Sequence, residues 1–186
     1  PLITPATLKK MRRALAKNDV VVLGFRPDDP ARYGRLIVEG RRLVAIREFN
    51  DADAGERAIG FCNAGVMAFS ARAAKLLGRI GNDNAKGEYY LTDIFSLAHA
   101  EGSPAGVVEC PAEEVLGVNS RADLALVEQV MQTRLRGRAM AEGATLVDPQ
   151  SVWLSADTRL GRDVTVQPSV FFGPGVTIGD RVEIRS

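Results

Sequence analysis

A six-residue repeat in the C-terminal part constrains the fold of this chain more than any other feature. One series of anchor residues recurs every six positions, and a second series of apolar residues follows two positions after the last five of them. A strand has a period of two and an α-helix a period of 3.6, so neither explains this spacing as one continuous element. The repeat predicts short strands separated by corners, with three hexapeptides closing each triangular coil of a parallel β-helix. The two series are Val152, Thr158, Val164, Val170, Val176 and Val182, then Leu160, Val166, Phe172, Ile178 and Ile184.

Small and turn-prone residues between the anchors suit such corners, whereas the alternative of an ordinary meander of short strands leaves the constant spacing unexplained. The repeat runs uncapped to residue 186. Solenoid coils stabilise one another and end in a capping element. We therefore expect the sequence to be part of a longer polypeptide. The corner residues are Gly161, Gly173, Pro174, Gly175, Gly179 and Asp180.

Helix and strand patterns alternate up to about residue 119, which predicts an α/β sheet with mostly parallel strands. Thr4 followed by Pro5 predicts a helix that ends near Lys17. The stretches "DVVVLGF", "AIGFCNAGVMAFS" and "AGVVECP" are predicted strands, and "RLIVEG" with "RRLVAIREF" a hairpin. Ser70 and Thr92 are predicted N-caps of two further helices, over 71–80 and around His99, with a polar loop over 81–90 between them.

From Ser120 to Gly143 the pattern is one long amphipathic helix without a strand partner. Leu124, Val127 and Leu135 belong to its apolar stripe. We interpret this helix as a connector, with a core helix of the first domain as the alternative. The predicted organisation is a domain over 1–119, the connector over 120–143 and a repeat domain over 144–186.

The amino-acid composition limits the partners and reactions that the chain can be expected to have. The net charge is +1 and acidic and basic residues are interspersed, which predicts that the protein has no nucleic-acid partner. No apolar run is long enough to span a membrane. We therefore expect a cytoplasmic protein. Cys62 and Cys110 lack the spacing of a zinc site or disulfide framework and are predicted to be buried apolar residues. The single histidine, His99, is expected to have a helix-surface or packing role. Phosphoryl and nucleotidyl transfer need no histidine.

Five segments, "ARYGRLI", "IREFNDA", "FCNAGVMAF", "NAKGEYYLTDIFSLA" and "EVLGVNSRADLALVE", resemble a family of bifunctional bacterial enzymes. The family is N-acetylglucosamine-1-phosphate uridyltransferase/glucosamine-1-phosphate acetyltransferase, and the segments occur in its order. The resemblance covers essentially the whole chain. It implies the C-terminal part of a Rossmann-like mixed sheet, a connector helix and the first coils of a left-handed parallel β-helix.

The resemblance also implies a set of substrate-binding residues, none of them a catalytic side chain. Gly34 matches the glycine whose backbone approaches the nucleotide-sugar, and Glu48 matches the acid that binds the sugar. Asn63 matches the amide that contacts the N-acetylglucosamine group. Asn119 matches a residue that binds the nucleotide-sugar and ligates Mg²⁺. Tyr90 and Thr92 would lie beside the sugar phosphate.

The implied reaction joins UTP and N-acetylglucosamine 1-phosphate to give UDP-N-acetylglucosamine and pyrophosphate, for peptidoglycan and lipopolysaccharide precursors. The second implied activity transfers acetyl from acetyl-CoA to glucosamine 1-phosphate, in a homotrimer formed through the β-helix. The family's glycine-rich loop, triphosphate-binding base and metal-binding aspartate would precede Pro1, and the acetyltransferase site would follow Ser186. We therefore expect the 186 residues alone to be inactive.

Three alternatives belong to other functional classes. One is a related nucleotidyltransferase with a different sugar phosphate or nucleotide. Another is a catalytically silent trimeric scaffold. A pure hexapeptide acyltransferase ranks below both because it leaves the α/β part unexplained.

Overall fold

The computed structural model describes residues 2–40 and 42–185. It divides the chain into two compact units, a first unit over Pro1–Leu116 and a second unit over Gly117–Ser186. Arg41, at the predicted hairpin turn, and Ser186, at the end of the last predicted repeat, lie outside the described residues. The three predicted domain ranges stay predictions.

The first unit alternates helices and strands much as the sequence predicts. The Thr4 side chain accepts a hydrogen bond from the N–H of Thr7, which confirms it as the N-cap of the first helix. Gly40 has a φ of +61°, as a tight hairpin turn requires. The elements are α1 (Pro5–Leu15), β1 (Val20–Phe25), β2 (Arg35–Glu39), β3 (Arg42–Arg47), α2 (Ala54–Arg57), β4 (Cys62–Phe69), a 3-10 helix (Ala73–Arg79), α3 (Asp93–Ala100), β5 (Ala105–Glu109) and a 3-10 turn (Ala112–Glu114).

The five strands form one mixed sheet in the order β3-β2-β4-β1-β5. Only β1 and β5 pair in parallel, while β2 is antiparallel to β3 and β4, and β4 is antiparallel to β1. The expectation of mostly parallel strands is therefore wrong for the described residues. Alternation of helices and strands does not specify partners, and here β4 enters between β1 and β2 and runs against both.

Apolar side chains cover both faces of this sheet. Val20 and Val22 of β1 face a cluster that includes Phe95 of α3, whereas Val21 and Leu23 face a cluster that includes Met11 of α1. Alternate residues of a strand point to opposite faces. The continuous apolar run of β1 therefore reflects a strand that is covered on both sides.

The predicted helix over 71–80 is a 3-10 helix rather than an α-helix. Its two buried residues, Ala73 and Leu76, are three positions apart. A repeat of three residues per turn places both on one face. Ser70 still serves the start of this helix, since its hydroxyl accepts a hydrogen bond from the N–H of Ala73 at 3.1 Å.

The second unit begins with α4 (Arg121–Ala141), which Ser120 and Asp123 cap reciprocally in a capping box. Val127 and Leu135 are buried as the stripe predicts, but Leu124 is 56% exposed. Short strands follow as β6 (Thr145–Leu146), β7 (Arg159–Leu160), β8 (Thr165–Val166), β9 (Thr177–Ile178) and β10 (Glu183–Ile184), with a 3-10 turn over Pro149–Ser151.

These strands pair in parallel, in the orders β10-β8-β6 and β7-β9. Equivalent contacts recur 18 residues apart, as between Arg162 N–H and Asp180 Oδ1. That offset equals three hexapeptides. Val152, Val164 and Val166 are fully buried in one cluster, while Val182 is 39% exposed. The assignment of this arrangement to a left-handed β-helix stays a prediction.

Among the described helices, none combines the length and apolar character that crossing a membrane requires.

Candidate functional site

Gly34 and Asn63 meet where β2 begins beside β4. The N–H of Asn63 donates a hydrogen bond to the Gly34 carbonyl at 2.8 Å. Just after Asn63 the pairing of β4 with β1 is irregular, and Gly65 has a φ of +75°. The Gly65 N–H donates to Asn63 Oδ1 at 2.8 Å. This bulge therefore fixes the amide of Asn63 at the strand end, as bulges beside binding sites commonly do.

Glu48 lies directly against this junction, immediately after β3. A Cβ atom added at Gly34 would lie 3.4 Å from Glu48 Oε1 and 3.5 Å from Asn63 Cβ. The missing side chain of Gly34 thus leaves room beside a carboxylate and an amide. Three residues that the resemblance implies for sugar binding are neighbours.

Thr92 belongs to the same group of residues, and its predicted place beside the sugar phosphate stays a prediction. Its hydroxyl donates a hydrogen bond to Glu48 Oε1 at 3.1 Å. The prediction that it caps α3 is wrong, because its φ of −62° and ψ of −23° are already helical and its side chain makes no capping bond. Thr92 is buried, so its hydroxyl orients the carboxylate from the protein side.

A cleft of about 190 Å³ opens next to Glu48. The half-buried Tyr90 lines it. Burial raises the pKa of Tyr90, and the negative charges of nearby acids raise it further. The phenol therefore stays protonated at neutral pH and can donate a hydrogen bond. The other lining residues are Arg32, Phe49, Asn50 and Lys86.

Asp51 was not singled out from the sequence, although it lies in the same "IREFNDA" segment as Glu48. Its Oδ1 accepts a hydrogen bond from the N–H of Ala85 at 2.8 Å, and its own N–H donates to the Glu48 carbonyl at 3.0 Å. These bonds connect the 81–90 loop to the segment after β3. The pKa of Asp93 is raised by burial and by the Asp51 charge, against the opposing effect of Arg47.

Asn119 lies in the second unit, two residues before α4. Its N–H donates to Asp123 Oδ2 at 3.0 Å, and the residue is exposed. The hydrogen bonds from the Asn119 and Ser120 N–H groups and the Ser120 hydroxyl hold the pKa of Asp123 below its usual value. The predicted role of Asn119 in ligand binding stays a prediction.

The described part of the chain offers few side chains suited to metal binding or thiol catalysis. Within it, no cluster of three or more His, Cys, Asp or Glu side chains is arranged to hold a metal ion.

Cys62 and Cys110 are free and buried, as predicted. Burial raises the pKa of Cys62, and burial with the charges of Glu114 and Glu109 raises that of Cys110 to about 11. Raised pKa values favour the protonated thiol, which is a weaker nucleophile than the thiolate. His99 lies exposed on α3.

No family model matches the chain. Curated relatives match it closely. The bifunctional protein GlmU of Azorhizobium caulinodans is 58% identical over 188 residues, which cover 100% of this chain and 42% of the relative. The bifunctional protein GlmU of Rhodospirillum rubrum is 61% identical over 169 residues, which cover 89% of this chain and 38% of the relative.

The chain thus spans about two fifths of the length of these relatives. Among solved structures, a nucleoside-diphosphate-sugar pyrophosphorylase from Vibrio cholerae RC9 is 12% identical with a TM-score of 0.47. That match covers 68% of this chain and 50% of the other. The likeness is too low to bear on the fold or the function.

Proposed function

The chain belongs to the GlmU family of bifunctional proteins, and on this premise we propose that its first unit holds the sugar-binding part of a uridylyltransferase site. The substrates would be UTP and N-acetylglucosamine 1-phosphate, and the products UDP-N-acetylglucosamine and pyrophosphate. One observation carries the proposal. Glu48 lies between the Thr92 hydroxyl, which donates to it, and the open face of Gly34, beside Asn63.

The residue types suit a sugar that carries an acetamido group. The Glu48 carboxylate accepts hydrogen bonds from sugar hydroxyls, and Thr92 holds one of its oxygens in place. The Asn63 oxygen is already bonded to the Gly65 N–H. Its NH₂ group makes no hydrogen bond to the described residues, so it is the group that would donate to the acetamido carbonyl.

In the proposed reaction a phosphate oxygen of N-acetylglucosamine 1-phosphate attacks the α-phosphorus of UTP. One P–O bond forms, and the bond to pyrophosphate breaks. No side chain forms a covalent bond, so this chain contributes by binding and orientation. The protonated Tyr90, beside Glu48 in the cleft, would donate a hydrogen bond to the sugar phosphate.

Mg²⁺ would supply charge neutralisation between the two phosphate-bearing substrates. Asn119 offers an amide oxygen, a ligand type that this hard cation accepts. One amide does not make a metal site. We therefore propose that Asn119 acts together with substrate phosphate oxygens and a carboxylate that is not among these 186 residues.

The second proposed activity, acetyl transfer from acetyl-CoA to glucosamine 1-phosphate, belongs to coils like those that begin in the second unit. The parallel strands with an 18-residue offset support this proposal. The proposed homotrimer through these coils rests on the family relationship alone.

The sugar-binding proposal is tested by NMR titration of the 186-residue chain with N-acetylglucosamine 1-phosphate and, separately, glucose 1-phosphate. We expect the acetamido sugar to bind more tightly. Asn63→Ala should weaken its binding by about tenfold, the equivalent of one lost hydrogen bond, and leave glucose 1-phosphate unchanged.

Gln129→Ala, which removes an exposed amide on α4, is the matched control and should change neither affinity. Equal affinity of the unmodified chain for both sugars would favour a related transferase of different specificity. No binding of either sugar would contradict the proposed site.

A further inference from the structure

Arg35 is a buried cation whose hydrogen bonds all go to backbone carbonyls. It is only 2% exposed, although arginine is seldom buried without a specific reason. Its Nη1 donates to the carbonyls of Pro30, at 3.2 Å, and Tyr33, and its Nη2 donates to that of Ala31 at 3.1 Å. Its Nε donates to the Arg57 carbonyl at 3.3 Å. One guanidinium thus joins the 30–33 loop to α2.

The loop held in this way leads directly into Gly34. Ala31 has a φ of +36°, a left-handed conformation that costs energy for any residue with a side chain. Such a conformation persists only when the surroundings hold it. The Arg35 bond to the Ala31 carbonyl and the Ala31 N–H bond to Asp29 Oδ1, at 2.9 Å, do so.

The same arginine also reaches the other side of the candidate site. Its guanidinium carbon lies 5.9 Å from the centre of the Phe49 ring, and that of Arg57 lies 4.8 Å from it. The Arg57 Nε donates to the Phe49 carbonyl at 3.2 Å. Because Phe49 follows Glu48 in the chain, this network fixes the backbone on which the Glu48 carboxylate is mounted.

We infer that Arg35 is a positioning residue that sets the distance between Gly34 and Glu48, an inference that rests on the proposed function. Arg35 adjoins Gly34 in sequence and holds Phe49, the residue after Glu48, through its ring and through Arg57. It does not itself touch the sugar. Its planar fork of five N–H donors serves four carbonyls in a geometry that the ammonium group of lysine does not reproduce.

The test compares Arg35→Lys with Arg72→Lys in the 186-residue chain. Arg72 pairs with Asp19 at the opposite end of β1 from the Asn63 register position, so its variant controls for a general loss of stability. The measurements are the affinity for N-acetylglucosamine 1-phosphate, thermal unfolding, and hydrogen exchange of the Asn63 amide, which donates to Gly34.

We expect Arg35→Lys to weaken binding by about tenfold, the equivalent of one misplaced hydrogen bond to the sugar. Exchange of the Asn63 amide should accelerate, while the amides that pair β1 with β5 exchange as before. Arg72→Lys should lower the unfolding temperature and leave both the affinity and Asn63 exchange unchanged. Arg57→Lys, at an exposed position, should weaken binding in the same direction by less, and it tests the network if Arg35→Lys does not fold.

The inference is wrong if Arg35→Lys, or Arg57→Lys where the former does not fold, binds the sugar phosphate as the unmodified chain does. It is also wrong if exchange accelerates uniformly through the sheet. Failure of the unmodified chain to bind any sugar phosphate contradicts the proposed function instead. The Asn63 exchange measurement then still decides whether Arg35 holds the junction.

Discussion

The hydroxyl of Thr92, at the start of α3, donates a hydrogen bond to the Glu48 carboxylate and does not cap the helix. Threonine is a favoured N-cap because its oxygen accepts a bond from the first turn, but that role needs an extended backbone. Thr92 is already helical, and its hydroxyl donates to Glu48 instead. Sequence composition cannot distinguish the two roles, because the same residue at the same position serves either. The distinction comes from the tertiary contact.

Asp19 carries the clearest pH dependence at the residue scale. Its carboxylate accepts hydrogen bonds from Arg72 and from the Ser70 hydroxyl, the latter at 3.0 Å. The bond from Arg72 is the main reason why the pKa of Asp19 lies below its usual value of 3.8, with burial opposing it. The folded state therefore binds this proton less readily than the unfolded chain does. The resulting stabilisation is complete above the usual pKa and is lost as the pH falls through the folded-state value.

We therefore predict that Asp19→Asn lowers the free energy of unfolding at pH 7 by about 1 kcal/mol, a small value because Arg72 is largely exposed. The difference from the unmodified chain should shrink on acidification below pH 3.8, the usual pKa of the carboxyl. Urea denaturation at pH 7 and at acidic pH measures both. Asp28→Asn, on an exposed loop, is the control and should leave the acid dependence as it was. An unchanged acid dependence in Asp19→Asn would contradict this account.

At the scale of elements, the sequence predicts the type of most segments but not their pairing. The buried run of β1 and the caps Thr4 and Ser120 are local signals, and each is where the sequence places it. The insertion of β4 between β1 and β2 depends on contacts between distant segments, so local patterns cannot indicate it. The same holds for Arg35, whose partners are carbonyls that carry no sequence signal.

The parallel strands of the second unit depend on glycine where one coil passes close to the next. A Cβ atom at Gly161 would lie 2.6 Å from the Asp180 nitrogen and 2.7 Å from the Gly179 carbonyl carbon. Backbone cannot give way as a flexible side chain does. At Gly173, in the same repeat, an added Cβ would meet nothing within 4 Å.

We predict that Gly161→Ala lowers the free energy of unfolding by about 1–3 kcal/mol, the usual range for overpacking. Gly173→Ala should change it by less than about 0.5 kcal/mol, as at other open surface positions. Urea denaturation monitored by Trp153 fluorescence compares the two. Similar destabilisation by both variants would show that the loss of unfolding free energy comes from the backbone preference of glycine and not from contact between successive coils.

At the scale of the whole molecule, each unit has its own core. The clusters on the two faces of the five-stranded sheet belong to the first unit, and the inward-facing repeat residues with Leu135 and Ala139 of α4 belong to the second. The predicted ligand residues are divided between them, since Gly34, Glu48 and Asn63 lie in the first unit and Asn119 in the second. The prediction that each group binds the nucleotide-sugar is therefore tested separately in each unit.

Hydrogen exchange over the whole chain decides this point. We predict that UDP-N-acetylglucosamine slows hydrogen exchange of the amides over 33–36 and at Asn63. A ligand that binds only the folded state stabilises that state by about 2.7 kcal/mol when its concentration is a hundred times Kd, and the amides then open less often. If Asn119 binds the nucleotide-sugar, protection should extend to residues 117–120 and should increase with Mg²⁺. Asn119→Ala should remove the Mg²⁺-dependent part and leave protection at Asn63 intact. The amide of Gln129, within α4, is the internal control and should not change. Protection confined to the first unit would exclude Asn119 from the site, while the sugar-binding role of Glu48 and Asn63 would stand.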